Sequence, residues 1–328
     1  MNTVFHYSEV EFRSHFRLSR SSVEILSSKI ITKYERNYIL GKKRICFKKA
    51  LLMTLWYLSN NETFRQVGDR FDVARGNACR TIHYLIDIIC TTCDDFIIWP
   101  KGSNLINVAN SFNTLRVNNF PNVIGAIDGC HIRITVPLNK RKDYTNRKMF
   151  QSIVLLAVCK SNLEFTNVFA GWPGSSHDAR VYRNSSLGKC LIADDCNLFP
   201  SEYHILGDSA FPLSKRLLTP YRQREILTPT QGIYNKRLSS TRVVIEQAFG
   251  LLLGRFRRLK SVCMKNVDNI SKAVTACCIL HNIALQNDDY TWVPIDSNPD
   301  AIQNEFVNDG INQQDITGIN KRNSLASL

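Results

Sequence analysis

A mixed α/β sheet with flanking helices, preceded by an all-α region, is what three features of this 328-residue chain predict. Glu9 to about Trp99 carries helical periodicity and little else. Short β-rich apolar runs begin near Val123. From Tyr203 onward, strand-like and helical stretches alternate. Strands that first follow one another as a meander and then alternate with helices build a mixed sheet covered by helices on its faces. That order predicts a ribonuclease H-like fold.

In the first part, FRLSRSSVEILSSKI and FKKALLMTLWYLSN repeat apolar residues at intervals of three and four, the mark of amphipathic helices. Glu62 to Ile89 reads as two helices about a tight turn: ETFRQVGDRF, then DVAR, then GNACRTIHYLIDII. That length and turn suit a helix-turn-helix, whose second helix sets its N-terminal residues into the major groove. Arg75, Asn77 and Arg80 fall where base or phosphate contacts are made, although a plain helical hairpin with solvated charges has the same pattern. We take residues 1–100 as this helical region and the polar stretch over residues 101–120 as a linker.

The second part spans residues 121–286. VIGAIDG, RITVP, QSIVLLAVCK and EFTNVFAGW read as successive strands. A helical piece follows at Asp178 to Gly188, then the strand YHILGD, then a helical stretch PLSKRLLTPY. Leu238 to Arg257 reads as a long helix with Val243, Val244, Phe249, Leu252 and Leu253 on its apolar face, and Val267 to Leu285 as the last helix. Residues 287–328 are rich in Asn, Asp and Gln with no sustained period, which predicts a disordered acidic tail.

Charge is unevenly spread. The net charge is +14, and residues 287–328 contribute −5 of it, seven acidic against two basic, leaving +19 on residues 1–286. A body that basic points to a polyanion, most simply nucleic acid. Eleven cysteines, several inside apolar stretches such as ACCILHN, fit a reducing compartment in which Cys acts as a small hydrophobe. Cys90 and Cys93 form one C-x-x-C with no second pair at zinc-ribbon spacing. The N-terminal residues lack the apolar core of a signal peptide, and no window reaches the roughly 18 apolar residues of a membrane span. The expectation is a soluble intracellular protein with no membrane partner.

Three carboxylates stand out. VIGAIDGCHIRI and YHILGDSAFP are apolar runs that reach Asp128 and Asp208, and RVVIEQAFGLLLGRF places Glu246 inside a helical pattern. Two strand-borne aspartates and a helix-borne glutamate can converge on Mg²⁺ or Mn²⁺, because hard cations take oxygen ligands and keep positions for substrate phosphates. Each also has an ordinary structural explanation: Asp caps helices and starts turns, and Glu246 lies four residues after Arg242, the spacing of a surface ion pair. His281 in the last helix reads as a buried structural histidine. Arg255, Arg257, Arg258 and Lys260 just past the glutamate helix, and Arg133, Lys140, Arg141, Lys142, Arg147 and Lys148 after the first aspartate, are candidate phosphate contacts. A nucleophilic-aspartate phosphohydrolase would need an acid two positions beyond Asp128, and position 130 is cysteine.

IGAIDGCHI, PGSSHDARVYRNS, GDSAFPLSKRLLTPY, RVVIEQAFGLLLGRFRRL and ACCILHN resemble, in that order, the DDE domain of PIF/Harbinger transposases and the nucleases derived from them. FRQVGDRFDVARG is similar to the same family's DNA-binding region. The resemblance implies a metal-dependent DNA endonuclease with Asp128, Asp208 and Glu246 as catalytic and metal-binding triad. Asp178 in SHDAR matches a further acidic position, carried as a metal or phosphate-site residue, with a helix first-turn role as its alternative. It also implies a divalent cation, Mg²⁺ or Mn²⁺, as cofactor, DNA and a Myb-like helper protein as partners, a homo-oligomer as one assembly state, and a nuclear location, or cytoplasmic without the helper. The alternative is a catalytically dormant DNA-binding or scaffold protein on the same fold. Cys130 stands where threonine is frequent, and Ala210-Phe211 replace the common Gly-Tyr, departures that leave every carboxylate in place.

Overall fold

The computed structural model describes residues 6–36, 45–115, 120–136, 138–193, 198–222, 227–264, 266–287 and 315–327. The basic run Lys42-Lys43-Arg44 lies outside them. Two compact units share the chain. One gathers residues 1–97, 132–153 and 250–296, the other 98–131, 154–249 and 297–328.

The chain opens on helices α1 (Glu9–Phe16), α2 (Arg20–Arg36), α3 (Phe47–Ser59), α4 (Phe64–Arg70), α5 (Arg75–Cys90) and the short α6 (Cys93–Phe96). Ser8 and Glu11 form a capping box at the start of α1, and Thr63 and Gln66 form another at the start of α4, each satisfying backbone donors that the first helical turn leaves open. Ala78, Ile82, Leu85, Ile86 and Ile89 make the buried stripe of α5, and the helix packs on α3 and α4. The helix-turn-helix expected over Glu62 to Ile89 is therefore present as α4 and α5.

Residues expected to be a linker instead form α7 (Ser103–Asn113), which buries Leu105, Ala109 and Phe112. These three lie at i, i+4 and i+7, a helical stripe diluted in sequence by asparagines. Then come β1 (Val123–Arg133), the one-turn helix α8 (Arg141–Tyr144), β2 (Ser152–Cys159), β3 (Phe165–Pro173), α9 (Asp178–Asn184), α10 (Ser186–Ala193), β4 (His204–Leu206) and β5 (Leu217–Leu218). Three helices follow: α11 (Pro229–Arg255), α12 (Val267–Gln286) and α13 (Ile316–Ala326).

The strands form one five-stranded sheet in the order β3-β2-β1-β4-β5, in which β4 runs parallel to both of its neighbours, β1 and β5. This is the ribonuclease H-like arrangement that the sequence pattern predicts. Ile124, Ile127, Val154, Leu156, Val158, Ile205 and Leu217 from the sheet pack with Val181, Tyr182, Leu187 and Leu191 from α9 and α10 in one apolar core. β2 is buried at every position, as a central strand covered on both faces should be.

Several boundaries differ from expectation. RITVP is not a strand of its own: β1 runs on to Arg133, and Ile134 makes an isolated bridge to Val262. PLSKRLLTPY, expected as a helix, contains β5, because Leu217 and Leu218 pair with the buried β4 rather than amphipathically covering it. The piece from Asp178 to Gly188 is two helices, interrupted where Ser185 is extended. The long helix begins at Pro229, nine residues before Leu238. The acidic tail is not disordered throughout, since Ile316–Ala326 are helical with Gly318 and Arg322 buried. Among the described residues, no helix is long and apolar enough to cross a membrane. Among the described residues the cysteines are free thiols except Cys190, which is disulfide-bonded.

Candidate active site

All four acidic candidates belong to the sheet-containing unit. Asp128 sits within β1, after the fully buried Val123–Ile127, and is only 6% exposed. Its Oδ1 accepts the Gly129 amide at 2.7 Å. Asp208 lies two residues beyond β4, where its Oδ1 accepts the Ala210 amide at 2.9 Å and closes a local turn. Glu246 and Arg242 share one face of α11, one helical turn apart.

Asp178, the first residue of α9, is buried against Gly129, the residue that follows Asp128. A Cβ added to Gly129 would lie 2.5 Å from the Asp178 Oδ1, so only glycine at position 129 lets this carboxylate approach the strand. A first-turn aspartate also suits the positive end of a helix, but the Gly129 contact ties Asp178 to the strand that carries Asp128.

Arg242 organises the cluster. Its Nη1 donates to Asp128 Oδ2 at 2.7 Å and its Nη2 to Glu246 Oε1 at 2.5 Å. The i,i+4 spacing to Glu246 was legible in the sequence; the second bond, across 114 residues, was not. Burial pushes the Asp128 carboxyl above the ordinary range, and Arg242 opposes that shift. Asp208 is raised to about 7, first by burial and then by repulsion from Asp128, with Arg242 again opposing. Burial works against the charge on Arg242, yet Asp128, Glu246 and Asp208 outweigh it and hold the guanidinium above its usual pKa. Burial followed by Asp128 and Asp178 pushes the Cys130 thiol up to about 12, so it stays protonated and is not a nucleophile.

Asp128, Asp208 and Glu246 form an oxygen donor set of the kind that hard divalent cations take. Asp208 is raised by burial and further by repulsion from Asp128, even with Arg242 present, so the pair would gain from added positive charge. The residues thus fit a divalent cation in chemistry. Among the described residues, however, no three His, Cys, Asp or Glu side chains are gathered closely enough to hold an ion. Arg242 already occupies one oxygen of Asp128 and one of Glu246.

The candidate DNA contacts divide. Arg75, Asn77 and Arg80 are exposed on the N-terminal half of α5, with Arg80 Nη2 bonded to Asn77 Oδ1 at 2.6 Å. Arg257 is exposed as well. Arg255 and Arg258 are not available: they are 3% and 4% exposed inside the helical unit. Arg255 Nη1 donates to the Arg17 carbonyl at 2.8 Å. Arg258 donates through Nε to the Tyr57 carbonyl at 3.2 Å and through Nη2 to that of Glu62, with its guanidinium stacked 4.0 Å over the Tyr57 ring. Both serve as internal braces because loop and helix-end carbonyls there need donors.

A buried carboxylate cluster on a ribonuclease H-like sheet, in a chain that also carries a helix-turn-helix, defines a class of polynucleotide-cutting proteins. The family model described as DDE superfamily endonuclease matches residues 127–282, and the helix-turn-helix of DDE superfamily endonuclease matches residues 43–93. The chain belongs to the DDE superfamily endonucleases, with the PIF/Harbinger transposases and the nucleases derived from them. A Rattus norvegicus protein named "Putative nuclease HARBI1" is 29% identical over 274 residues, 82% of this chain and 75% of its own length. The Homo sapiens protein of the same name is 28% identical over the same shares. "Protein ALP1-like" of Arabidopsis thaliana is 27% identical over 311 residues, 90% of this chain and 75% of that protein. No solved structure matches.

Proposed function

We propose that this chain is a divalent-metal-dependent DNA endonuclease in which Asp128, Asp208 and Glu246 hold the metal. The observation that carries the reading is the convergence of Asp128, Arg242 and Glu246 from a central strand and a long helix, with Asp208 buried and near enough to Asp128 for the two carboxylates to repel each other. A bound Mg²⁺ or Mn²⁺ supplies Lewis-acid activation of water and neutralises charge developing on phosphorus. The protein's own contribution is to gather acidic oxygens in a buried place, where electrostatic interactions are stronger than in water. Arg242 provides positive charge to the same carboxylates in the metal-free protein, and it would share Asp128 and Glu246 with the cation. Asp208 must lose its proton to bind a cation. Asp178 supports Asp128 from behind Gly129 and serves as an additional oxygen donor.

DNA is held in this reading by Arg75, Asn77 and Arg80 on α5, with Arg257 as a phosphate contact. Strand transfer of the freed 3′-hydroxyl, a Myb-like helper, self-association and nuclear residence extend the reading from the family resemblance.

One observation favours the dormant alternative: the Arg242 bridge satisfies Asp128 and Glu246 without any metal. Cleavage of labelled duplex DNA in Mg²⁺ and in Mn²⁺, with and without nuclear extract as a source of helper, separates the two. Metal-dependent cutting by the wild-type chain that Asp208→Asn loses by about 10³-fold or more supports the endonuclease. Salt-sensitive binding with no cutting in any condition moves the chain to the DNA-binding reading.

A further inference from the structure

The peptide that carries Asp208 has thin support from the sheet. It joins β4, three residues long, to β5, two residues long, and their register consists of the two pairs Ile205 with Leu217 and Leu206 with Leu218. So short a parallel pair contributes little by itself. β4 also pairs with β1, and Phe211 packs in the apolar core against Tyr182. Further support comes from α13, which lies in the same unit and beyond the part of the chain that the endonuclease model matches.

Contacts of α13 fall on both flanks of this peptide. Lys321 Nζ donates to the carbonyls of Ser201 at 2.7 Å, Glu202 at 3.2 Å and Tyr203 at 3.1 Å, just before β4, and to Lys215 at 2.9 Å, just before β5. Three ammonium protons thus serve four carbonyls, at the two places where the chain enters the strands. Arg322 is 8% exposed, donates to the Pro220 carbonyl at 3.4 Å and stacks 4.1 Å over the Tyr221 ring. Asn323 Oδ1 accepts the Tyr221 hydroxyl at 2.7 Å. Where the helix comes closest, a Cβ on Gly318 would lie 2.7 Å from the Ser214 carbonyl carbon, so the seat admits only glycine. Charge-assisted bonds to carbonyls are the stronger kind of hydrogen bond, and here one side chain ties together the two flanks of the Asp208 loop beyond the short β4–β5 pair.

We propose that residues 201–203 and 214–221 form a docking surface for the chain's own C-terminal helix, and that α13, anchored by Lys321, clamps the loop that positions Asp208. Lys321, Arg322 and Gly318 are positioning residues. The docking stands on its own geometry, and its consequence for metal binding rests on the assignment of Asp208 given above.

Hydrogen exchange on the full-length chain tests the docking without relying on activity. Lys321→Met removes the anchor and keeps the side-chain length, and Gly318→Val blocks the seat. Both variants should raise exchange of amides 205–218 by about tenfold or more, as expected for loss of a local rather than a global unit, while amides 154–158 of β2 keep their protection. Adding a synthetic peptide of residues 315–327 to Lys321→Met should restore protection over 205–218. Mn²⁺ affinity should fall in both variants and recover with the peptide. Unchanged exchange over 205–218 in both variants would overturn the clamp, as would protection lost equally from β2. If exchange responds as expected and the wild-type chain binds no Mn²⁺, the clamp stands and the metal assignment of Asp208 fails.

Discussion

Arginine is used in opposite ways on the recognition helix and in the carboxylate cluster. Arg75 and Arg80 on α5 are exposed, and the polar contact recorded for Arg80 is a neighbouring asparagine amide. Arg242 is largely buried between two carboxylates from distant parts of the chain. An exposed guanidinium keeps its water and is free to trade it for a phosphate. A buried one has already given up its water for fixed acceptors, so removing it leaves those acceptors desolvated and unpaired. The same residue type is therefore open to a ligand in one place and fixed as structure in the other. Solvation, not charge, separates them.

The largest effect that sharpens this contrast is expected at Arg242. Replacing it with Gln leaves Asp128 buried with one amide partner and Glu246 without its ion pair, which should cost about 3–5 kcal/mol of stability in the metal-free protein. Chemical denaturation measures it. If Arg242 and a divalent cation share the same carboxylates, Mn²⁺ should recover more of the stability of Arg242→Gln than it adds to the wild type. An equal stabilisation of both chains would mean that arginine and metal do not compete.

A comparable loss is expected at Arg258, where the sequence suggests a phosphate contact and the structure shows a brace. Arg258→Ala removes donors from the Tyr57 and Glu62 carbonyls and the stacking on Tyr57, and should cost about 2–4 kcal/mol. Arg257→Ala, one residue away and exposed, should change stability by no more than about 0.5 kcal/mol. Equal stability losses in the two variants would erase the distinction between brace and surface cation.

How much was legible follows the same line. The helix-turn-helix and the order of strands along the chain rest on local periodicity and on apolar runs, which the chain displays along its length; the grouping of Asp128 with Glu246 comes from the family resemblance. The β5 pair did not show, because Leu217 and Leu218 look the same in a helix and in a two-residue strand, and only β4 decides between them. Helix α7 was hidden by asparagines around a correct apolar stripe. Composition argued for disorder at α13, while Lys321, Arg322 and Gly318 find their partners a hundred residues upstream. Burial of Arg255 and Arg258, like the bond from Arg242 to Asp128, is a tertiary fact that a run of basic residues does not encode.

A smaller effect should appear in the pH dependence of the metal-free protein. Asp208 holds its proton up to about pH 7 in the fold, against an unfolded value near 3.8. Its folded pKa is raised, so its contribution to stability is present below about pH 4 and is lost as pH rises toward 7. Because Asp128 is raised as well, the two titrate as a pair rather than singly. Wild-type stability should fall relative to Asp208→Asn by about 2–4 kcal/mol between pH 4 and pH 7.5. Parallel stability curves for the two chains would show that Asp208 ionises at an ordinary pH, and with it would go the mutual repulsion that argues for a shared cation.

The smallest expected change in stability lies on the recognition helix, and it carries the other half of the comparison. Arg75→Ala and Arg80→Ala touch no buried acceptor, so each should leave the denaturation midpoint nearly unchanged, within about 0.5 kcal/mol. Binding is where they should register. A phosphate contact releases counterions, so losing one flattens the dependence of log Kd on log salt by about one unit, while loss of a contact to a base edge costs about 1–3 kcal/mol for one sequence and spares others. Fluorescence anisotropy across a salt series therefore assigns each arginine a role as well as a magnitude. Arg255→Ala makes the opposite control, since its buried guanidinium braces the Arg17 carbonyl: it should lower stability and leave the salt slope as it was. If the two α5 variants leave both slope and affinity unaltered, the exposed arginines of α5 are only solvated charges, and the basic body of the chain must meet DNA elsewhere.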